Sequence, residues 1–456
     1  MRSNKRASKL KKHSDCECII CKDRHNFVLP EHLKEKFYNH DLVIFAGAGI
    51  STENRVVFPY TLYDEVKAEL GISADDPMRF STLMSRYCDQ SDGRVLLLQK
   101  IKARFDYVAA FPELYRFATR FHRELATLHF IDTIVTTNWD DFFERECGAV
   151  PFVTAKDFAF WSTSGRKVFK IHGSINNYGS VIATDADYRK CRKALRDGIL
   201  GATLKHIIGT KTIVYIGYSF TDADFAQIYK FLQNEMGNVM PQSYMVTPNS
   251  SQETAITAHG LTPIITDGQH FLSVLKKHAV ADKRQIDDAR FEGIYPAYAS
   301  LMVAHKELHK RHETSETPLI IYTSSYQDGF MQALERAMSR ICTGEYSCPG
   351  CLVRLIGEYQ DIRRDKRRRK KLTDVAYIDG YLQGLFFIMA TDNDRKNIPL
   401  WYVTCDTKPA KNIHDYSRVL KKAAFEHPDW LKHAERVVQD YLGQNGDTVL
   451  HRMPFL

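Results

Sequence analysis

Asp41-Leu-Val-Ile-Phe-Ala-Gly-Ala-Gly-Ile-Ser51 decides the fold of the first half of this chain. Its first part is short, apolar and rich in branched residues, which is the composition of a buried strand. Two glycines one residue apart follow at once. Glycine there lets the backbone turn sharply and bring bare N–H groups against a phosphate, and Ser51 adds a hydroxyl donor. A Gly-x-Gly after a strand is also found in plain tight turns, so the reading depends on what surrounds it.

Working outward, similar runs recur at Ile131–Thr136, Lys167–Ile171, Thr212–Ile216, Ser243–Thr247 and Leu261–Ile265. Helical patterns separate many of them, near 60–70, 78–104, 109–129, 185–209 and 221–235. Strands alternating with helices predict an α/β domain: a Rossmann-like parallel sheet with helices on both faces. The expected organisation is a basic, Cys/His-bearing segment over 1–30, an α/β domain over 31–280, a helical linker over 281–315 and an α-rich C-terminal domain over 316–456. In the last part Pro318–Tyr322 and Trp401–Thr404 read as strands. Val375, Ile378, Tyr381, Leu382, Leu385 and Phe386 read as one apolar helix face.

Composition sets the outer limits. No uncharged apolar run approaches the roughly 18 residues of a membrane span, so no membrane contact is expected. Met1–Lys12 is basic but no apolar h-region follows, which predicts a cytoplasmic protein with reduced cysteines. A net charge of +8 permits an acidic or nucleic-acid partner without arguing for one.

Three further strings follow strands in order: Thr136-Thr-Asn-Trp-Asp140, Lys170-Ile-His-Gly-Ser174 and Ile216-Gly-Tyr-Ser-Phe220. Each has a plain structural reading. Asn138 and Asp140 could cap the helix that follows, His172 could be a histidine bonded to a backbone carbonyl, and Thr221 or Asp222 could cap the helix after the last string. Taken as an ordered set with Gly47-Ala-Gly-Ile-Ser51, they resemble the sirtuin catalytic core. That resemblance implies NAD binding by Gly47, Ala48, Gly49, Ser51, Thr137, Gly217 and Ser219, with Thr247 a further contact on the adenosine-ribose side. It implies that Asn138 holds the water or ribose at the scissile bond, that Asp140 orients that site or contacts nicotinamide and ribose, and that His172 meets the ribose hydroxyls as a general base. An imidazole suits that task because it titrates near neutrality.

Two departures from deacylating sirtuins stand out. Between the His-Gly and Gly-x-Ser strings there is only Cys191, so the two Cys-x-x-Cys pairs of a zinc ribbon are missing. After the first loop, Ser51–Tyr60 lacks the Ile-Pro-Asp-Phe-Arg segment. The pattern resembles the zinc-free, sirtuin-like NADases of prokaryotic antiphage defence, of which Thoeris is one system. The resemblance implies an NAD hydrolase that yields ADP-ribose and nicotinamide and acts by NAD depletion. It also implies self-association and a defence-system partner, such as a HerA-type ATPase or a short Argonaute. The other readings are an NAD-dependent deacylase or ADP-ribosyltransferase, and a non-catalytic module that binds NAD or ADP-ribose.

Cys16, Cys18, Cys21 and His25 offer four ligands within ten residues, a spacing that suits a structural zinc, with His13 a further candidate. Cys348 and Cys351, with Cys342 nearby, form a second cluster. Reduced, unliganded thiols are the alternative for both. Arg363–Lys371 is the strongest charge run. It could meet nucleic-acid phosphates or an acidic partner surface, or be a solvated helix end.

Overall fold

The computed structural model describes residues 18, 21–53, 57–90, 92–218, 223–339, 343–402, 410 and 412–445. The chain divides into two compact units, Met1–His278 and Ala279–Leu456.

The first unit is built on a seven-stranded, all-parallel sheet: β1 (Leu42–Ala46), β2 (Thr133–Thr136), β3 (Val150–Phe152), β4 (Lys167–Lys170), β5 (Thr212–Ile216), β6 (Tyr244–Thr247) and β7 (Thr262–Ile265). Their spatial order is β3-β4-β2-β1-β5-β6-β7. β1 and β5 are buried at every position, as strands covered on both faces must be. On one face Phe45, Val135, Phe169 and Ile213 pack with Leu195, Leu204, Ile208 and Leu232. These four belong to α8 (Asp185–Asp197), α9 (Ile199–Thr210) and α10 (Ala223–Met236).

The other helices of this unit are α1 (Glu31–Tyr38), α2 (Leu62–Glu69), α3 (Phe80–Cys88), α4 (Gly93–Ala110), α5 (Pro112–Ala118), α6 (Arg120–Ala126), α7 (Phe142–Cys147), α11 (Glu253–Ala258) and α12 (Gly268–Ala281). The expected long helices over 78–104, 109–129 and 185–209 are each two helices. The first breaks at Gly93, whose backbone lies so close to Tyr87 that an added Cβ would be 2.3 Å from its carbonyl oxygen.

β3 is a strand that the sequence does not announce. It is three residues long, with Val150 and Pro151 exposed. Pro151 lacks the N–H that an interior ladder needs, so it fits an edge. Pro263 occupies β7 at the opposite edge for the same reason.

The second unit is helical: α13 (Ala289–Glu292), α14 (Ile294–Arg311), α15 (Ile320–Ser339), α16 (Pro349–Arg368), α17 (Leu372–Met389), α18 (Asp392–Arg395), α19 (Ile413–Glu426) and α20 (Pro428–Asn445). Several expectations fail here. Pro318–Tyr322 is not a strand but the entry to α15, with Leu319, Ile320, Ile321 and Tyr322 all buried. A short apolar run fits a helix sunk in a core as well as a strand. Of the expected strand Trp401–Thr404, Trp401 makes an isolated bridge to Ala410, and Val403 and Thr404 lie outside the described residues. The 281–315 segment, expected as a helical linker, is helical, forming α13 and α14, and Ile294, Leu301, Ala304 and Leu308 of α14 lie in the core cluster of this unit. Phe386 is 41% exposed and lies off the buried face of α17 that the other five residues form.

The basic run falls at the end of α16 and is largely ion-paired. Arg363 binds Asp379 and Lys366 binds Asp374 (2.5 and 2.8 Å), joining α16 to α17. Arg364 pairs with Asp361, and Arg368 and Arg369 pair with Asp365, on the same helix.

Candidate active site

All seven strands are parallel, so their carboxyl ends share one edge. From β1 the chain moves to one side through β2, β3 and β4, then returns to the other side of β1 as β5. The crevice between the β1 and β5 ends is the topological switch point, where open α/β sheets bind their ligands.

The Gly47–Ser51 loop is locked onto that crevice. The Gly47 N–H donates to the Ile216 carbonyl (2.9 Å) and the Gly49 N–H to the Gly217 carbonyl (3.0 Å). Gly217 has φ +64°, and a Cβ on Gly47 would lie 2.3 Å from its oxygen. The sequence reading expected both glycine N–H groups to face a phosphate. In this conformation they are used to join two loops, and Ala48–Ile50 makes a single 3-10 turn. Ser51 is buried, and its hydroxyl donates to Asp140 Oδ2 at 2.7 Å.

The loop after β2 is held as firmly. Thr136 Oγ1 donates to the Ala46 carbonyl and accepts from the Asn138 N–H (2.9 and 3.0 Å). The Thr137 N–H reaches the Ala46 carbonyl at 3.4 Å. Asn138 Nδ2 donates to the Gly47 carbonyl at 3.2 Å, which leaves its Oδ1 buried without a hydrogen-bond partner. A buried orphan acceptor is costly and invites a hydroxyl or water donor. Asp140 is 3% exposed, and its second oxygen accepts from the Phe142 N–H (3.2 Å) at the start of α7. Asp141 is the N-cap residue of α7 and makes no side-chain capping bond, so Asp140, one residue earlier, supports the helix entry only through Phe142, alongside its bond to Ser51.

His172 follows β4 and is buried against Tyr188, ring centroids 5.2 Å apart. Gly173 has φ +84°, and a Cβ there would lie 2.1 Å from the Ser180 carbonyl oxygen. The Ile175 N–H donates to the Trp139 carbonyl (2.8 Å), tying the His-Gly loop to the Asn138 loop. Behind both loops sits Lys170, fully buried. Its ammonium donates to the Asp140 carbonyl and pairs with Glu144 at 3.0 Å. Burial pushes the Glu144 carboxyl above the ordinary carboxylate range, against the pull of Lys170. Beneath lies His122, fully buried with both ring nitrogens unpartnered, where desolvation pushes its pKa down to about 4.

On the far side of the crevice a cavity of about 100 Å³ lies among the ends of β1, β5, β6 and β7. That is below the roughly 300 Å³ at which ligand pockets begin, so it fits a part of a dinucleotide rather than the whole. Gly49, Gly217 and Pro248 line it together with Asp23, Arg120 and Asp267. Arg120 pairs with Asp267 at 3.2 Å, and its Nη1 is buried without a partner. Thr247 is buried, but its hydroxyl donates to Gln252 and accepts from the Asn249 N–H (2.9 and 3.2 Å), so it shapes the turn at Pro248. Ser219 lies outside the described residues.

The N-terminal zinc ligands expected from the sequence are not brought together among the described residues. Cys16 lies outside the described residues, as does Cys342. The Cys21 N–H donates to the Cys18 carbonyl at 2.9 Å. Among the described residues, Cys18, Cys21 and His25 do not bring three ligand atoms together. The segment does something else instead. The Asp267 N–H donates to the Asp23 carbonyl, Thr266 Oγ1 donates to the His25 carbonyl, and Phe27 stacks on Phe271. The N-terminal strap is thus part of the cavity wall. Cys348 caps α16, its Sγ accepting from the Cys351 N–H at 3.4 Å.

The geometry defines a doubly wound α/β domain with a nucleotide-type crevice at its switch point. Residues 132–264 match the family model described as a SIR2-like domain. The chain is similar to three proteins named NAD(+) hydrolase ThsA. That of Enterococcus faecium is 30% identical over 209 residues, 44% of this chain and 42% of that protein. That of Cytobacillus dafuensis is 28% identical over 46% of this chain and 42% of that protein. That of Acinetobacter baumannii is 24% identical over 48% and 45%. The chain spans less than half the length of these relatives.

Proposed function

We propose that the α/β unit hydrolyses NAD at the nicotinamide–ribose bond. Asn138 is the observation that carries this reading: a buried amide at the ends of β1 and β2, fixed through its nitrogen, with its oxygen awaiting a donor. That oxygen positions a water or a ribose hydroxyl. His172, at the end of β4, takes a proton from the hydroxyls or from the attacking water. Asp140 orients the loop through Ser51, and Gly47, Ala48, Gly49, Thr137, Gly217, Ser219 and Thr247 belong to the loops that surround the dinucleotide. The C1′–N bond breaks with its electron pair passing to the pyridinium nitrogen, which becomes neutral. The bond from C1′ to the water oxygen forms, and one proton is released. A buried, water-poor pocket favours this path because fixed dipoles, rather than reorganising solvent, meet the oxocarbenium-like ribose.

Names of relatives support the hydrolase over a deacylase. So does the segment between the His-Gly and Gly-x-Ser strings: it holds the helices α8 and α9, and its one cysteine, Cys191, is buried. In the cell the proposed role is an antiphage effector that depletes NAD, self-associates and answers to a defence-system partner. The test is product analysis with purified full-length protein and no acyl peptide. Equimolar nicotinamide and ADP-ribose support the hydrolase. Turnover that appears only with an acyl-lysine or another acceptor would replace it with a transferase.

A further inference from the structure

We propose that Lys170 is a positioning residue, which holds the Asn138 loop and the His172 loop in one fixed relation through its bond to the Asp140 carbonyl. The inference rests on the hydrolase reading above.

Lys170 is the last residue of β4, two before His172. Its side chain is 0% exposed. A lysine there is expensive: the ammonium loses its hydration, and an ion pair with Glu144 does not generally recover that cost. An apolar residue would serve the sheet better. What the ammonium adds is a bond from the end of β4 to the backbone carbonyl of Asp140, in the loop after β2. Glu144, on α7, whose Phe142 N–H bonds the Asp140 carboxylate, supplies the counter-charge.

On the β4 side this loop is also held by the Ile175 N–H on the Trp139 carbonyl and by Asn176 Nδ2 on Asp141 Oδ2 (2.8 and 3.2 Å). Asp140 is fixed by its side chain to Ser51 in the β1 loop and to the start of α7. Lys170 adds the third direction, toward β4, parallel to the bond between Ile175 and Trp139. Both oxygens of the Asp140 carboxylate already have donors, so the structure gives Asp140 an orienting part and leaves the chemistry to Asn138 and His172. Displacement of a catalytic group by about 1 Å can cost on the order of 100-fold in rate. Lys170 therefore acts on turnover more than on binding, because the cavity beyond β1 and β5 does not include it.

The experiment compares wild type, Glu144→Gln, Lys170→Met and the double variant Lys170→Met/Glu144→Gln as full-length proteins. The double variant avoids stranding a buried carboxylate should Lys170→Met fail to fold. Each is measured for its melting midpoint, for ADP-ribose affinity by calorimetry, and for kcat and KM with NAD. The expected result is a folded double variant whose ADP-ribose affinity and KM stay within about threefold of wild type while kcat falls on the order of 100-fold. Glu144→Gln, which leaves the ammonium on the carbonyl, loses about tenfold or less. A folded double variant with kcat near wild type would overturn the proposal. So would parallel losses of affinity, kcat and stability, the mark of a residue that only supports the fold. Wild-type protein that neither binds ADP-ribose nor consumes NAD would overturn the hydrolase reading itself, and this inference with it.

Discussion

At the residue scale, the site depends on groups that are buried and committed to one another. Ser51 gives its hydroxyl to Asp140 with no water in reach, since both are nearly inaccessible. Ser51→Ala leaves a buried carboxylate oxygen short of a donor, which is expected to cost about 1–3 kcal/mol. Chemical denaturation checks this: the midpoint falls at unchanged slope, and an unchanged midpoint would contradict it. His122 gives a pH prediction. Its pKa is held near 4 in the folded protein against an ordinary 6.5. Above pH 6.5 both folded and unfolded chains carry it neutral, and it has no effect on stability. Between 6.5 and 4 the unfolded chain takes up a proton that the folded chain refuses, so stability falls as pH falls. The full loss is on the order of 3 kcal/mol. A His122→Leu variant is expected to show a flatter acid limb between pH 6.5 and 4 in the same denaturation series, and an acid limb as steep as the wild type's would contradict the assignment.

At the element scale, α15 and α17 approach so closely that glycine is required on both. A Cβ on Gly380 would lie 1.8 Å from the Tyr326 carbonyl oxygen, and one on Gly329 would lie 2.0 Å from that of Tyr377. Backbone cannot yield as a side-chain tip can. Gly380→Ala is expected to destabilise the helical unit by about 1–3 kcal/mol or more, read as a lowered melting transition. Retention of the wild-type transition would show that the helices separate freely. The elements also show what the sequence could and could not reveal. β1, β2, β4, β5, β6 and β7 were legible because parallel strands buried on both faces are nearly continuous apolar runs. The four loop strings were legible because each follows such a run directly. β3 was hidden by its brevity and its proline, and the entry to α15 was read as a strand because Leu319–Tyr322 is apolar all round, while the helix expected near 328–341 forms the rest of α15. Lys170 left a trace, as the one charge facing inward from an otherwise apolar strand end. Arg120 and Asp267 left none: they are 147 residues apart, and only the fold brings them together.

At the scale of the whole molecule, an α/β unit that holds the SIR2-like match at residues 132–264 is followed in one chain by a helical unit beyond that match. Among the described residues no helix is long and apolar enough to cross a membrane. The basic run at the end of α16, open in sequence to a solvated helix end, nucleic-acid phosphates or an acidic partner, has Arg363, Arg364, Lys366, Arg368 and Arg369 paired with Asp379, Asp361, Asp374 and Asp365. Charge patterning along a chain does not show which acids will fold back onto it.

The account turns on Asn138. The most direct measurement is NAD turnover by the purified full-length protein, wild type against Asn138→Ala and His172→Ala, with ADP-ribose affinity measured on each. The account predicts nicotinamide and ADP-ribose from wild type, loss of turnover by about 100-fold or more in both variants, and affinity kept within about tenfold in Asn138→Ala. Turnover by Asn138→Ala at the wild-type rate would contradict it.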